Sequence, residues 1–251
     1  MIKLYQLNNE EVRDEMDKQV EELGQLLRPT GVDSWDRLFG GLYLGAVSAV
    51  VSTTGGGKSK FLRAMAKQLS RKYNGTVLYI TIEQSPLQAS KKFNREDPIL
   101  MAYMEDLTQW TDIEQMIKQY NIQFIMYDYL GALISDGDSE WQALRDDVAR
   151  LNSIAKAHHV AIMTAMQATF ELLDLKDSRD AIRNTKYVAY SKNTVNNLTQ
   201  AAYLINKPQS IPVLATLKNR EGEVIIETPV AGLDYGTEEF VKVGFGLCPI
   251  K

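Results

Sequence analysis

The chain has almost no cysteine. Cys248 stands alone among 251 residues, which excludes an internal disulfide framework and makes a reducing cytoplasm the simplest expectation. No run of about 18 apolar residues occurs, so the chain has no helical membrane span. The opening residues, Met1-Ile2-Lys3-Leu4-Tyr5-Gln6-Leu7-Asn8, lack the apolar core of a secretory signal. Excess positive charge is missing too. The formal net charge is −4, so any nucleic-acid contact must come from a local patch. Histidine is scarce: the pair His158-His159 ends a helix-like run, where a cation is favourable, and reads as structural. Cys248 has no ligand pattern around it and reads the same way. What remains is ordinary for a soluble domain, with 45% hydrophobic and 24% charged residues. The length suits one large α/β domain with a real core.

The densest signal is the stretch Ser52-Thr53-Thr54-Gly55-Gly56-Gly57-Lys58-Ser59-Lys60. An apolar strand-like run, Ala46 to Val51, precedes it, and a helix-like run, Phe61 to Leu69, follows it. A phosphate cradle needs that setting. Glycines let several backbone N–H groups converge on one anion, and the helix N-terminus adds partial positive charge. Thr54, Gly55, Gly56, Gly57, Lys58, Ser59 and Lys60 are therefore the expected nucleotide-binding residues. Lys58 would reach the outer phosphates, and the Ser59 hydroxyl would hold Mg²⁺. The sequence departs from the strict pattern GxxxxGK[ST] at one place, where Ser52 replaces the first glycine.

Around this loop the chain reads as alternating strands and helices. Residues 8–28 form an amphipathic helix with Val12, Met16, Val20, Leu23 and Leu27 on one face, closed by Pro29-Thr30-Gly31. That face either covers its own domain or docks on a neighbouring subunit. Strands are expected at 76–82, 99–104, 122–127 and 160–166, and helices at 85–95, 111–120 and 140–158. This rhythm implies a mostly parallel sheet covered on both faces. Residues 199–206, 212–219 and 223–228 read as successive strands, an antiparallel edge. The division expected is an N-terminal amphipathic helix, 1–28, open to a role in oligomerisation, and an α/β nucleotide-binding domain, 29–251.

Functional residues of open α/β sheets gather at the carboxyl ends of strands. Glu83, Asp128 and Gln167 stand there. Asp128 suits a Walker-B carboxylate that holds Mg²⁺ through water beside Ser59. Glu83 suits a general base for the attacking water, and Gln167 a sensor of the γ-phosphate. After Gln167 comes a connection, 170–196, holding Lys176, Arg179, Arg183, Lys186 and Lys192 with Tyr187 and Tyr190 between them. Cations tracking phosphates and rings stacking on bases would make it a DNA contact, but Asp174, Asp177 and Asp180 dilute the charge, and a solvated surface loop fits equally well.

The order of these motifs resembles the RecA-like motor domain of DnaB-type replicative helicases. Thr30-Gly31-Val32-Asp33-Ser34-Trp35-Asp36-Arg37-Leu38 is similar to the family's opening motif, and Ser52 to Ser59 to its Walker A. Thr81-Ile82-Glu83-Gln84-Ser85 resembles a segment whose Glu is catalytic in the family. Phe124-Ile125-Met126-Tyr127-Asp128-Tyr129-Leu130 resembles its Walker B, and Met166-Gln167 its sensor Gln. Leu217-Lys218-Asn219-Arg220-Glu221-Gly222 resembles an element whose Lys and Arg reach into the neighbouring subunit's site. The resemblance spans roughly residues 25–228. It implies a RecA-like P-loop NTPase that binds ATP and Mg²⁺, assembles as a hexameric ring or spiral, and moves on single-stranded DNA. Lys218 and Arg220 then become trans-acting fingers, and a primase or helicase loader a further partner.

The chain departs from that family in three ways. Only the helix 8–28 precedes the motor, the stretch between Glu83 and Asp128 is short, and the loop Ser135-Asp136-Gly137-Asp138-Ser139-Glu140 is acidic where a DNA contact would be basic. The minimal architecture points to a phage or plasmid replicon. Two rival functions stay open: a recombinase-type filament, and a non-motor ATPase that acts as loader or regulator on a protein partner.

Overall fold

A computed structural model describes residues 26–74, 77–82, 84–94, 96–106, 109–130, 140–189, 192–208, 210–220, 227–229, 233–234 and 239–240, together with residue 18. Glu83, Tyr190, Cys248, the acidic loop 135–139 and most of the segment 8–25 lie outside these residues.

The chain runs β1 (Leu27–Arg28), α1 (Asp33–Phe39), β2 (Leu42–Tyr43), β3 (Val47–Ser52), α2 (Lys58–Tyr73), β4 (Val77–Thr81) and α3 (Pro86–Ser90). It continues through β5 (Ile99–Tyr103), α4 (Trp110–Tyr120), β6 (Phe124–Asp128), α5 (Glu140–His158) and β7 (Ala161–Gln167). Four short 3₁₀ turns follow between Phe170 and Asn197. The tail adds β8 (Gln200–Ile205), β9 (Val213–Asn219), β10 (Glu227–Pro229), β11 (Leu233–Asp234) and β12 (Glu239–Phe240).

One eight-stranded sheet, ordered β10-β9-β8-β3-β7-β6-β4-β5, organises the domain. Strands β8, β3, β7, β6, β4 and β5 are parallel, and β9 and β10 add an antiparallel edge. The central strands are apolar on both faces because both faces are covered. Leu78, Ile80, Ile125 and Tyr127 join α4, α5 and the 3₁₀ segment in one core. Val77, Tyr79, Phe124 and Met126 join α1 and α2 in the other, around Trp35, Phe61 and Leu69.

Several expectations change. Leu27 and Arg28 are not the end of a helix; they pair with Tyr43 and Leu42 as a small antiparallel ribbon. The helix expected over 85–95 shortens to Pro86–Ser90, with Ser85 accepting a hydrogen bond from the Gln88 N–H. Helix α1 was not foreseen. It forms because the Asp36 carboxylate accepts hydrogen bonds from the Thr30 N–H (2.8 Å), the Thr30 hydroxyl (2.7 Å) and the Gly31 N–H (2.8 Å). The opening motif is thus a folding device: Asp36 fixes the turn at Thr30-Gly31. Segment 170–197 is no loose loop either, since Leu172, Ala181, Tyr187, Val188, Val195 and Leu198 are all buried in the first core. Of the strand expected at 223–228, only Glu227 and Thr228 lie among the described residues, where they open β10.

Candidate nucleotide and metal site

The site forms at the carboxyl end of β3, where the sheet order reverses: β4 to β7 lie on one side and β8 on the other. The chain leaves β3 in a tight loop and enters α2, a sixteen-residue helix that begins at Lys58. Gly57, immediately before it, has φ 99°, a left-handed conformation that glycine adopts without steric cost. At Gly56 a side chain is excluded outright, because a Cβ would lie 2.2 Å from Ser52 Oγ and 3.1 Å from the Thr53 carbonyl oxygen. The departure at Ser52 therefore has a structural use. Its hydroxyl is buried and donates to the Leu204 carbonyl (2.6 Å), tying the start of the loop to the end of β8.

The side chains converge. Lys58 Nζ donates to the carbonyls of Ser52 (3.2 Å) and Thr53 (3.0 Å) and to Gln167 Oε1 (2.7 Å). Gln167 Nε2 donates to Thr54 Oγ1 (2.7 Å). Ser59 Oγ donates to Asp128 Oδ1 (2.9 Å). The second oxygen of Asp128 accepts the Tyr79 hydroxyl. Burial, then the Asp128 charge, push the Tyr79 hydroxyl well above the usual phenol range, so it remains a donor. The peptide bond from Asp128 to Tyr129 is cis.

These residues fit a nucleoside triphosphate with its metal. The helix start and an ammonium serve phosphates. Among the described residues no cluster of three carboxylate, histidine or cysteine ligands exists. One carboxylate beside one hydroxyl is instead the sparse, hard-oxygen set that Mg²⁺ uses when phosphates and water complete its shell.

Gln167 is also wired into the chain beyond it. Its carbonyl accepts the Ala189 N–H (2.9 Å), the Ala168 N–H donates to the Ser52 carbonyl (2.9 Å), and Ala168 bridges Val188. The 3₁₀ segment therefore departs from and returns to Gln167. The basic residues expected there are partly accounted for. Lys176, Arg179, Arg183 and Lys186 are exposed. Arg179 is tied to Asp177 by a bidentate ion pair, and Lys186 Nζ lies 4.6 Å from the centre of the Tyr187 ring. Tyr187 does not project outward as a stacking ring; it is 4% exposed and packs edge-on against Tyr203. Phe170, 64% exposed and three residues after Gln167, is the exposed aromatic here that sequence reasoning passed over. For Lys192 only the backbone is described.

Lys218 and Arg220 are the site residues that the fold sets apart. Lys218 on β9 pairs with Ala201, which pairs with Ala49 on β3, three residues before Ser52. Two strand spacings across and three residues along place Lys218 on the order of 14 Å from the loop's start. Its Nζ donates to the carbonyls of Val195 (2.9 Å) and Asn196 (2.7 Å), and Arg220 donates to Asn196 as well. Partial burial, then the Arg220 charge, push the Lys218 amine down to about 8.

No protein-family model matches the chain, and no curated protein does. Solved structures do. The ATPase domain of G40P superposes with a TM-score of 0.73 at 15% identity, covering 95% of this chain and 100% of that one. A DnaB-like replicative helicase, described with its interactions with primase, superposes with a TM-score of 0.73 at 16% identity, covering 95% of this chain and 68% of that one. The fold is that of a RecA-like P-loop NTPase. More narrowly, it is the fold of the ATPase domain in DnaB-type helicases.

Proposed function

We propose that this chain is the ATPase motor of a ring-forming replicative DNA helicase, with ATP and Mg²⁺ held at subunit interfaces and single-stranded DNA in the channel. One observation carries the reading. The cradle gathers Lys58, Ser59, Asp128 and Gln167, while Lys218 and Arg220 stand two strands away, on and just past β9, with their cations on the carbonyls of Val195 and Asn196. Cations so placed serve a neighbour's nucleotide better than their own.

In this reading Thr54 to Lys60 bind the triphosphate, and Lys58 neutralises the outer phosphates. A bound Mg²⁺ would offset the charge that develops between those phosphates. Ser59 and Asp128 would hold it, and Glu83 would take the proton of the attacking water. Gln167 would exchange its bond to Lys58 for one to the γ-phosphate, and the bond from the Ala189 N–H to its carbonyl would pass that change to segment 170–197. Lys176, Arg183, Lys186 and Lys192 would meet phosphates of DNA, with Arg179 partly spent on Asp177. Arg220 and Lys218 of one subunit would stabilise the transition-state charge in the next. A primase or loader is the protein partner this reading expects.

A second reading draws on the buried Tyr187 and the paired Arg179, which weaken the DNA face: a non-motor ATPase working on a protein partner. One assay separates the two. ATP hydrolysis is measured with and without single-stranded DNA, with Glu83→Gln alongside. The motor reading expects stimulation by DNA that vanishes in the variant. Hydrolysis indifferent to DNA overturns it and favours the regulator.

A further inference from the structure

Asp128 is held from two sides, and only one of them belongs to the phosphate loop. Its Oδ1 faces Ser59, and its Oδ2 takes the hydroxyl of Tyr79 from the middle of β4. A phenol has one proton to give. Since Tyr79 gives it to Asp128, its oxygen is left as an acceptor, and the Arg63 guanidinium hydrogen-bonds there. Arg63 lies one turn beyond Ser59 on α2, so both project from the same face of that helix. It is 4% exposed, an uncommon place for a cation. The Tyr79 ring is itself fixed. Phe93 packs edge-on against it at 5.3 Å, and Lys67 Nζ, a further turn along α2, lies 5.9 Å from the Phe93 ring centre.

We propose that Tyr79 and Arg63 are positioning residues for the metal: Tyr79 locks the Asp128 carboxylate in the orientation that meets Ser59, and Arg63 locks Tyr79. This rests on Ser59 and Asp128 being the metal-holding pair. Mg²⁺ demands near-ideal octahedral geometry, so a carboxylate free to rotate is a poor anchor for its shell. Hydrogen bonds behind such groups typically matter by about 10–100-fold in metal affinity. A strand tyrosine and a helix arginine thus act on the metal without touching it. Neither belongs to the motifs by which the sequence was read. Their common signal is spacing: Ser59, Arg63 and Lys67 recur every fourth residue on one face of a helix whose other inward positions are apolar apart from Ser70.

Tyr79→Phe tests this, because it removes one oxygen and keeps the ring against Phe93. The readouts are binding of a fluorescent ATP analogue in EDTA and across a Mg²⁺ titration, and binding of Mn²⁺ in the presence of nucleotide, followed by its magnetic resonance. The expected result is a rise of about tenfold or more in the Mg²⁺ midpoint and a matching loss of Mn²⁺ affinity. Affinity in EDTA should stay unchanged. Arg63→Gln should shift the midpoint the same way by less. A merely structural Tyr79 would lower thermal stability and leave the midpoint in place, and that overturns the proposal. Asp128→Asn is run beside it. If Asp128→Asn weakens the metal and Tyr79→Phe does not, the positioning role fails and the metal site stands. If neither does, the metal site itself fails.

Discussion

The two basic regions of this molecule are held differently. Lys58 sits inside a closed arrangement in which each polar group meets another of the same site: Ser52, Thr53 and Gln167 around the ammonium, Thr54 behind Gln167. Lys218 and Arg220 rest on the backbone carbonyls of Val195 and Asn196 and on nothing that reacts. The first region is complete within one chain. The second holds its charges, Lys218 half-buried and Arg220 exposed, against a segment that leads back to Gln167. In the proposed motor this split would make hydrolysis depend on assembly: the lone chain would bind a nucleotide, and a neighbour would bring the cations that stabilise the transition state.

The largest expected effect comes from breaking the second region. Arg220→Ala should lower the turnover of the assembled protein by about 10³–10⁵-fold, the range for a finger supplied across an interface. Nucleotide affinity of the isolated chain should be unchanged. Lys58→Ala reverses the pattern. It removes charge-assisted hydrogen bonds worth about 1.5–3 kcal/mol each, so nucleotide affinity should fall by about tenfold or more even in unassembled protein. Titrating a fluorescent nucleotide into both variants separates the two behaviours. Equal losses of affinity would contradict the division.

A smaller effect concerns pH. Burial holds the Lys218 amine at about 8 against 10.5 for the free side chain. Below that value it is a cation, and as pH rises through it the charge is lost. If the cation is needed, turnover should decline several-fold between about pH 7 and 9, with a midpoint near the residue's own value. Lys218→Arg should abolish the decline, since a guanidinium stays charged. Stability runs the other way. Between the two values the unfolded chain holds the extra proton, so this residue favours folding more as pH rises, and that contribution is lost as pH falls through about 8. The smallest effect is at the loop's start. Ser52→Gly removes the bond to Leu204 and should cost about 1 kcal/mol of stability with nucleotide affinity nearly intact, as thermal unfolding and binding would report.

Much of this architecture was legible in the chain. The apolar runs marked the parallel strands because both sheet faces are covered, so strands such as Val77–Thr81 and Phe124–Asp128 are buried along their whole length. Helix α5 matched its expected bounds because its apolar spacing is regular over nineteen residues. Helix α1 was missed because its start is fixed by a carboxylate of its own first turn, Asp36, folding back on Thr30 and Gly31, and not by an N-cap side chain. Tyr187 was misjudged because the cations spaced along its segment suggested a surface, while its neighbour in space is Tyr203. The convergence of Asp128 with Ser59 could be anticipated from strand order. The Tyr79 and Arg63 support behind them could not, since a buried tyrosine in an apolar strand reads as core.

The central claim is that one chain supplies the cradle and its neighbour the fingers. Mixing two inactive variants tests it most directly. Lys58→Ala and Arg220→Ala are each assembled alone and then together, and ATP hydrolysis is measured with single-stranded DNA. In a mixed assembly an Arg220→Ala subunit still owns an intact cradle, and a Lys58→Ala neighbour still offers an intact Arg220. The account predicts that mixing restores a clear fraction of wild-type turnover that neither variant shows alone. If the mixture is as inactive as its parts, Arg220 serves its own chain or no nucleotide at all, and the division of the site between neighbours is wrong.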